Sequence, residues 1–164
     1  MKSVVVMGVA GCGKSSVGQA LAQSLKLPLI EGDDFHSERN LDKMRRGLAL
    51  TDADRADWLT ALGQALEQHK TGVVLTCSAL KRAYRERLRR HARGLRFVFL
   101  EIDPDSAHQR VTQRASAHLF PASLVQSQFA TLESPVGEPG VLCVDATKSL
   151  AHLNKIIKDW LGSV

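Results

Sequence analysis

Apolar residues recur along this chain at two spacings. Short, nearly unbroken runs occur at Val4-Val5-Val6-Met7, Pro28-Leu29-Ile30, Val73-Val74-Leu75-Thr76-Cys77, Leu95 to Ile102 and Val141-Leu142-Cys143-Val144. Runs of that length without polar alternation predict strands buried on both faces, as in a parallel sheet. The segments between them carry helical spacing. Ser16 to Leu25 predicts one helix, and Ser37 to Arg46 a shorter one stopped by Gly47. Thr51 and Asp54 form a capping-box pattern that opens a longer helix, with Trp58, Leu62, Ala65, Leu66 and His69 on one face. Further helices are predicted from about Leu80 to His91, from Pro104 in a first turn, and near Ser123 to Thr131. The last helix carries Leu150, Leu153, Ile156, Ile157, Trp160 and Leu161 as a stripe for core packing. Residues 115–121 break periodicity, and Ser134 to Gly140 is a loop by its prolines and glycines. Strands alternating with helices predict an α/β fold of three layers around a five-stranded parallel sheet.

Composition adds bounds. The 164 residues suffice for one domain, and 44% apolar with 24% charged residues is ordinary globular usage. No stretch approaches the ~18 apolar residues of a membrane span. The N-terminal valines are read as a core strand and not as a targeting segment. Cys12, Cys77 and Cys143 are odd in number and lack metal or redox spacing, so reduced thiols and a cytoplasmic setting are expected. The formal charge of +5 suits anionic ligands. A nucleic-acid partner is not expected, because basic residues are not interleaved with aromatics and no recognised module is present.

The chemistry is concentrated after the first strand. Gly8-Val9-Ala10-Gly11-Cys12-Gly13-Lys14-Ser15 fits G-x-x-x-x-G-K-[ST], the phosphate-binding loop, with Ser16 continuing into the helix. Glycines let successive backbone N–H groups point at a triphosphate, and the helix N-terminus adds positive potential. Lys14 is expected on the β- and γ-phosphates of ATP and Ser15 on Mg²⁺. Cys12 reads as a small filler within the loop. The second strand ends in Asp33, at the carboxyl edge where parallel sheets bind ligands. A carboxylate there can deprotonate an attacking hydroxyl or hold a water of the Mg²⁺ shell. No metal-binding carboxylate follows the third strand, where Cys77-Ser78 stands, and Glu101 and Asp103 are weaker metal candidates. No N-K-x-D base-reading motif of GTPases is evident, which favours a small-molecule kinase.

Four blocks of residues resemble the gluconokinases of bacteria and eukaryotes. They are the phosphate loop; Gly32-Asp33-Asp34-Phe35-His36 with Asn40, Lys43-Met44, Gly47, Leu50, Asp52-Ala53-Asp54-Arg55 and Trp58-Leu59; Cys77-Ser78-Ala79-Leu80-Lys81 with Tyr84-Arg85; and Gln126-Ser127-Gln128-Phe129 with Thr131-Leu132-Glu133 and Pro135, after His118 and Phe120. The resemblance covers nearly the whole chain. It implies ATP-dependent phosphorylation of D-gluconate at its terminal hydroxyl, a fold like that of shikimate and nucleoside monophosphate kinases, a helical substrate insert at about 35–60, a lid at about 114–124, and a homodimer. The chain departs from the family's prolines at Ala49 and Asp57, both in the presumed insert.

A gluconate site needs a partner for the carboxylate and for a row of hydroxyls. Arg55 and Arg85 are candidates for bidentate carboxylate binding, with Lys81 as a nearby point charge. His36 and Asn40 are candidates for hydroxyls, and His118 joins them through the family blocks. Arg110 and Arg114, four apart before the irregular segment, are expected to supply lid cations to the transferring phosphate. Asp145-Ala146-Thr147-Lys148 is the expected location of the adenine. The competing readings are a kinase for another small acid or polyol such as shikimate, and a nucleotide switch without an acceptor.

Overall fold

The computed structural model describes residues 2–114 and 121–163. Among these, the apolar runs form five parallel strands: β1 (Val4–Met7), β2 (Leu29–Glu31), β3 (Val74–Thr76), β4 (Arg96–Glu101) and β5 (Val141–Asp145). Seven α-helices accompany them: α1 (Lys14–Leu25), α2 (Glu38–Arg45), α3 (Asp52–Gln68), α4 (Arg82–His91), α5 (Pro104–Gln113), α6 (Val125–Thr131) and α7 (Leu150–Gly162). The sheet order is β2-β3-β1-β4-β5. β1 is central and its four side chains are at most 1% exposed, which is why the sequence there is valine and methionine without alternation.

The chain steps from β1 outward to β2, returns through β3, and then crosses to β4 and β5. Right-handed crossovers place α1 on one face of the sheet and α3, α4 and α5 on the other. The packing follows, with α1 against α7 and α3 against α4. The direction of winding reverses between β1 and β3, opening a crevice at their carboxyl ends. Gly8 and Ser78, which follow those strands, meet there through a hydrogen bond from Gly8 N to Ser78 O of 3.3 Å.

Element ends differ from expectation in instructive places. The helix expected from Leu80 begins at Arg82, because Ala79 takes a left-handed φ of 48° and Lys81 stays extended as the N-cap. The second strand stops at Glu31, and Gly32–Phe35 makes a 3-10 turn that carries Asp33. The capping box is present as read, with Asp54 N donating to Thr51 Oγ1 and Thr51 N to Asp54 Oδ2. Lys43 also donates to the Asp54 carboxylate, and this bond, with that from Thr51, holds the carboxyl pKa at about 2. The pairing ties α2 to the start of α3. Of the stripe on α7, Leu153 and Ile157 are buried and Ile156, Trp160 and Leu161 pack at the margin, while Leu150 is 44% exposed at the helix start. The expected lid falls largely on residues 115–120, which lie outside the described residues, as does His118.

Arg85 corrects an expectation. Its side chain is fully buried, and five hydrogen bonds use its donors: to Ala79 O (2.7 Å), Leu80 O (3.2 Å), Glu133 O (2.9 Å) and both carboxylate oxygens of Glu138 (3.2 and 2.6 Å). It therefore pins the β3–α4 loop, including the left-handed Ala79, and has no donor left for a substrate. Burial opposes ionisation of Glu138, but the hydrogen bonds and charges of Arg85 and Arg89 outweigh it and hold the carboxyl below the ordinary glutamate range. Glu138→Ala is expected to cost about 3–5 kcal/mol of folding stability by stranding a buried guanidinium, measurable by equilibrium denaturation. Because the native pKa is depressed, the wild-type advantage is complete above the ordinary glutamate range and is lost as pH falls through the native value.

Candidate active site

The phosphate loop leaves β1 and closes at Gly13, whose φ of 94° places it in the left-handed region as the N-cap of α1. An L side chain there would be strained, so glycine is required for the loop to turn into the helix. Lys14 Nζ bridges the two ends of the loop by donating to the carbonyls of Gly8 (3.0 Å) and Val9 (3.1 Å). Cys12 is 1% exposed and fills the loop's interior, as its size suggested. Ala10 N donates to Gln128 Oε1 at 2.7 Å, so α6 reaches across and braces the loop from the far wall.

Ser15 lies beside a carboxylate that the sequence reading did not select. Its hydroxyl donates to Glu31 Oε2 at 3.1 Å, and Thr76 Oγ1 donates to the same oxygen at 2.6 Å. Glu31 thus places a carboxylate beside Ser15 from the end of β2. The available signal was a lone charged residue closing an apolar strand. Glu101 and Asp103 do not join the site: Glu101 is exposed at the end of β4, and Asp103 caps α5 through Ser106 N at 2.8 Å.

Asp33 projects from the 3-10 turn with its side chain 66% exposed, along the same cleft as Lys14 and Ser15. His36 follows one turn later, its Nε2 3.9 Å from Asp33 Oδ1. The His36 ring stacks on Trp58 at 4.3 Å between centroids and 15° between planes. Trp58 is held by its indole N–H, which donates to Gly32 O at 2.8 Å. Burial lowers the His36 pKa, Asp33 opposes that, and the Arg55 charge lowers it further.

Arg55 is 8% exposed and lines the cleft from α3. Its Nη1 donates to Leu50 O (2.8 Å) and Tyr84 Oη (3.3 Å), which orients the fork. Tyr84 in turn donates to Asp52, which also accepts from Lys81 Nζ at 3.0 Å. Hydrogen bonds from Tyr84 and then Lys81 depress the Asp52 pKa, while burial and the Asp52 bond raise that of Tyr84. Lys81 pairs with Asp52 and is not among the residues that line the cleft.

Together these groups wall one open cleft. Gly13, Lys14 and Ser15 of the phosphate loop line it together with Asp33, His36, Arg55 and Trp58, and Ser78, Arg114, Ser127 and Gln128 complete its polar lining. Arg114 is thus brought to the site, whereas Arg110 is not on the lining. Arg110 instead donates to Gly11 O (3.3 Å) and Ala146 O (3.2 Å), tying the loop to the turn after β5 where adenine was expected. Asn40, 4% exposed, is behind His36 and outside the lining. Met44, Ala49, Leu50 and Leu124 supply apolar wall. Cys77 is buried beside the cleft, and burial pushes its thiol up to about 12, so it stays protonated.

The chain is matched over residues 4–139 by a family model described as AAA domain. It is 46% identical over 148 residues to a gluconokinase of Gluconobacter oxydans, covering 88% of this chain and 83% of that protein. A crystal structure of a gluconokinase from Sinorhizobium meliloti superposes with a TM-score of 0.85 at 43% identity, covering 99% of this chain and 97% of the other. A shikimate kinase from Aquifex aeolicus shares the fold at 17% identity, with a TM-score of 0.58 over 98% of this chain and 96% of the other. With this much identity spread over nearly its full length, and with the phosphate loop, Asp33 and Arg55 on one cleft, the chain belongs to the gluconokinase family.

Proposed function

We infer that this chain transfers the γ-phosphoryl group of ATP to the terminal hydroxyl of D-gluconate, giving 6-phospho-D-gluconate and ADP. The observation that carries this is one cleft lined both by a phosphate loop and by a buried, oriented guanidinium. A carboxylate, Asp33, stands on the same cleft. The loop amides and Lys14 hold the β- and γ-phosphates and spread the charge of the transition state. Arg55 takes the carboxylate of the acid through its fork, and its bonds to Leu50 and Tyr84 keep that fork in place. This anchors the sugar acid by its charged end and turns its far hydroxyl toward the loop.

Asp33 accepts the proton of the attacking hydroxyl as the oxygen bonds to Pγ and the bond from Pγ to the β–γ bridging oxygen breaks, leaving ADP. Arg114, also on the lining, stabilises charge on the transferred group. The donor set beside Ser15 consists of a hydroxyl and the carboxylates of Glu31 and Asp33, hard oxygens that suit Mg²⁺ held mainly through the nucleotide. When bound, Mg²⁺ neutralises negative charge on the phosphate oxygens. Of the two departures from the family's prolines, Ala49 lines the cleft and Asp57 is exposed on α3 outside it. Any shift in acid preference therefore traces to Ala49.

Release of ADP from ATP in the presence of Mg²⁺ is expected to be stimulated strongly by D-gluconate, and weakly by shikimate, glycerate, neutral sugars or water. A different preferred acid would retain the chemistry and reassign the substrate, and no acceptor dependence would refute the kinase reading. Asp33→Asn, nearly isosteric, should lower kcat by about 10²–10⁴-fold with ATP affinity unchanged, the range for loss of a general base. Arg55→Lys should raise KM for gluconate about tenfold or more and leave KM for ATP near wild type, since lysine cannot form the fork. Steady-state kinetics with each substrate varied in turn checks both.

A further inference from the structure

Behind the cleft, Asn40 sets the protonation geometry of His36. Asn40 Nδ2 lies 2.9 Å from the backbone carbonyl of Asp54 and 3.3 Å from His36 Nδ1. A backbone carbonyl only accepts, so the amide must turn its NH₂ toward Asp54, and the flipped amide would oppose two oxygens. The second hydrogen of that NH₂ then faces His36 Nδ1, which must offer a lone pair. A neutral imidazole with a bare Nδ1 carries its hydrogen on Nε2. That nitrogen is on the cleft side, 3.9 Å from Asp33 Oδ1, too far for a direct hydrogen bond.

We propose that Asn40 is a positioning residue that locks His36 as the neutral Nε2–H tautomer, so that His36 donates to a substrate hydroxyl oxygen whose own hydrogen is accepted by Asp33. The substrate class rests on the gluconate reading above; the tautomer does not. Donor and acceptor side by side fit a hydroxyl, which both accepts and donates. A carbonyl oxygen satisfies His36 alone and leaves Asp33 without a donor. His36 is thereby excluded as a base at Nε2, and proton removal is left to Asp33.

Three further contacts support the lock. The ring cannot turn freely, because it is stacked on Trp58 and its side chain is only 4% exposed. Asn40 is itself buried at 4% exposure, and its backbone N–H is fixed by Ser37 Oγ at 3.1 Å as the cap of α2. The ion pair of Lys43 with Asp54 holds the Asp54 backbone in register with α2. A proton on Nδ1 would meet the Asn40 N–H head on.

The test is a long-range ¹H–¹⁵N spectrum of the full chain at neutral pH without substrate. The resonances of His36 among the six histidines are identified by their loss in His36→Gln. A bare Nδ1 with a protonated Nε2 is expected, and Asn40→Asp, which accepts from Nδ1, should move the hydrogen to Nδ1. A wild-type His36 with its hydrogen on Nδ1, or doubly protonated, would overturn the lock whether or not the Asn40 variant folds. In kinetics, His36→Asn should raise KM for gluconate about tenfold by removing the donor, with KM for ATP unchanged. His36→Gln, which retains an N–H near the Nε2 position, should recover most of that loss. Equal losses in the two variants would overturn the donor role. A wild-type chain inactive on gluconate would overturn the substrate reading, and the substrate-free spectrum would still decide the tautomer.

Discussion

The contact between Gly32 and Thr76 is the constraint on which the cleft depends. A Cβ built on Gly32 would lie 2.2 Å from Thr76 O, so the backbone after β2 passes against the end of β3 only because residue 32 has no side chain. Gly32 N also donates to Thr76 Oγ1 at 3.3 Å, and Gly32 O accepts from the Trp58 indole. Glu31 on one side of Gly32 reaches Ser15 and Thr76, and Asp33 on the other faces the cleft. A side chain at position 32 would push β2 from β3, moving both carboxylates relative to the phosphate loop and freeing the indole on which His36 rests. Positioning of the reacting groups is most of what phosphoryl transfer asks of a protein, so a shift of this kind bears directly on rate.

The cationic side chains around the cleft divide into those that build it and those that line it. Arg85 is the most buried of them and is spent wholly on backbone carbonyls and Glu138. Arg110 is spent on Gly11 and Ala146, and Lys81 on Asp52. Lys14, Arg55 and Arg114 remain on the lining. A buried guanidinium without partners is very costly, so each interior arginine comes with its own acceptors. Arg55 stands between the two groups: two acceptors orient it, and the cleft is open beside it. Behind it, hydrogen bonds run from Arg55 to Tyr84, from Tyr84 to Asp52 and from Lys81 to Asp52, so the charges of Asp52 and Lys81 are paired outside the cleft lining.

The walls meeting at the cleft come from distant parts of the chain, and short-range contacts bind them. Gln128 on α6 accepts from Ala10 in the phosphate loop, 118 residues away in sequence. Arg110 joins the loop to the turn after β5. These links make the conformation of the loop depend on the segments that flank residues 115–120 on both sides. The position of α6 and α5 is thereby coupled to the backbone that holds phosphate.

Strands, helices and the phosphate loop were legible in the sequence because they rest on local rules. An unbroken apolar run forms a strand buried on both faces, Thr51 with Asp54 caps a helix, and the spacing of Gly8, Gly13, Lys14 and Ser15 specifies a loop. Asp33 was legible too, since the carboxyl edge of a parallel sheet follows from strand order alone. The fate of individual polar side chains was not. Arg55 and Arg85 look alike in sequence, each near an aromatic residue in a family block, yet one lines the cleft and the other is sealed against Glu138, 53 residues further along. Glu31 gained its place only when β2 came beside β3 and Thr76 and Ser15 converged on it. Hydrogen bonds between groups far apart in the chain have no periodicity to read. Which partner a charge finds is decided by packing in three dimensions, and that packing settles whether it supports the site or serves it.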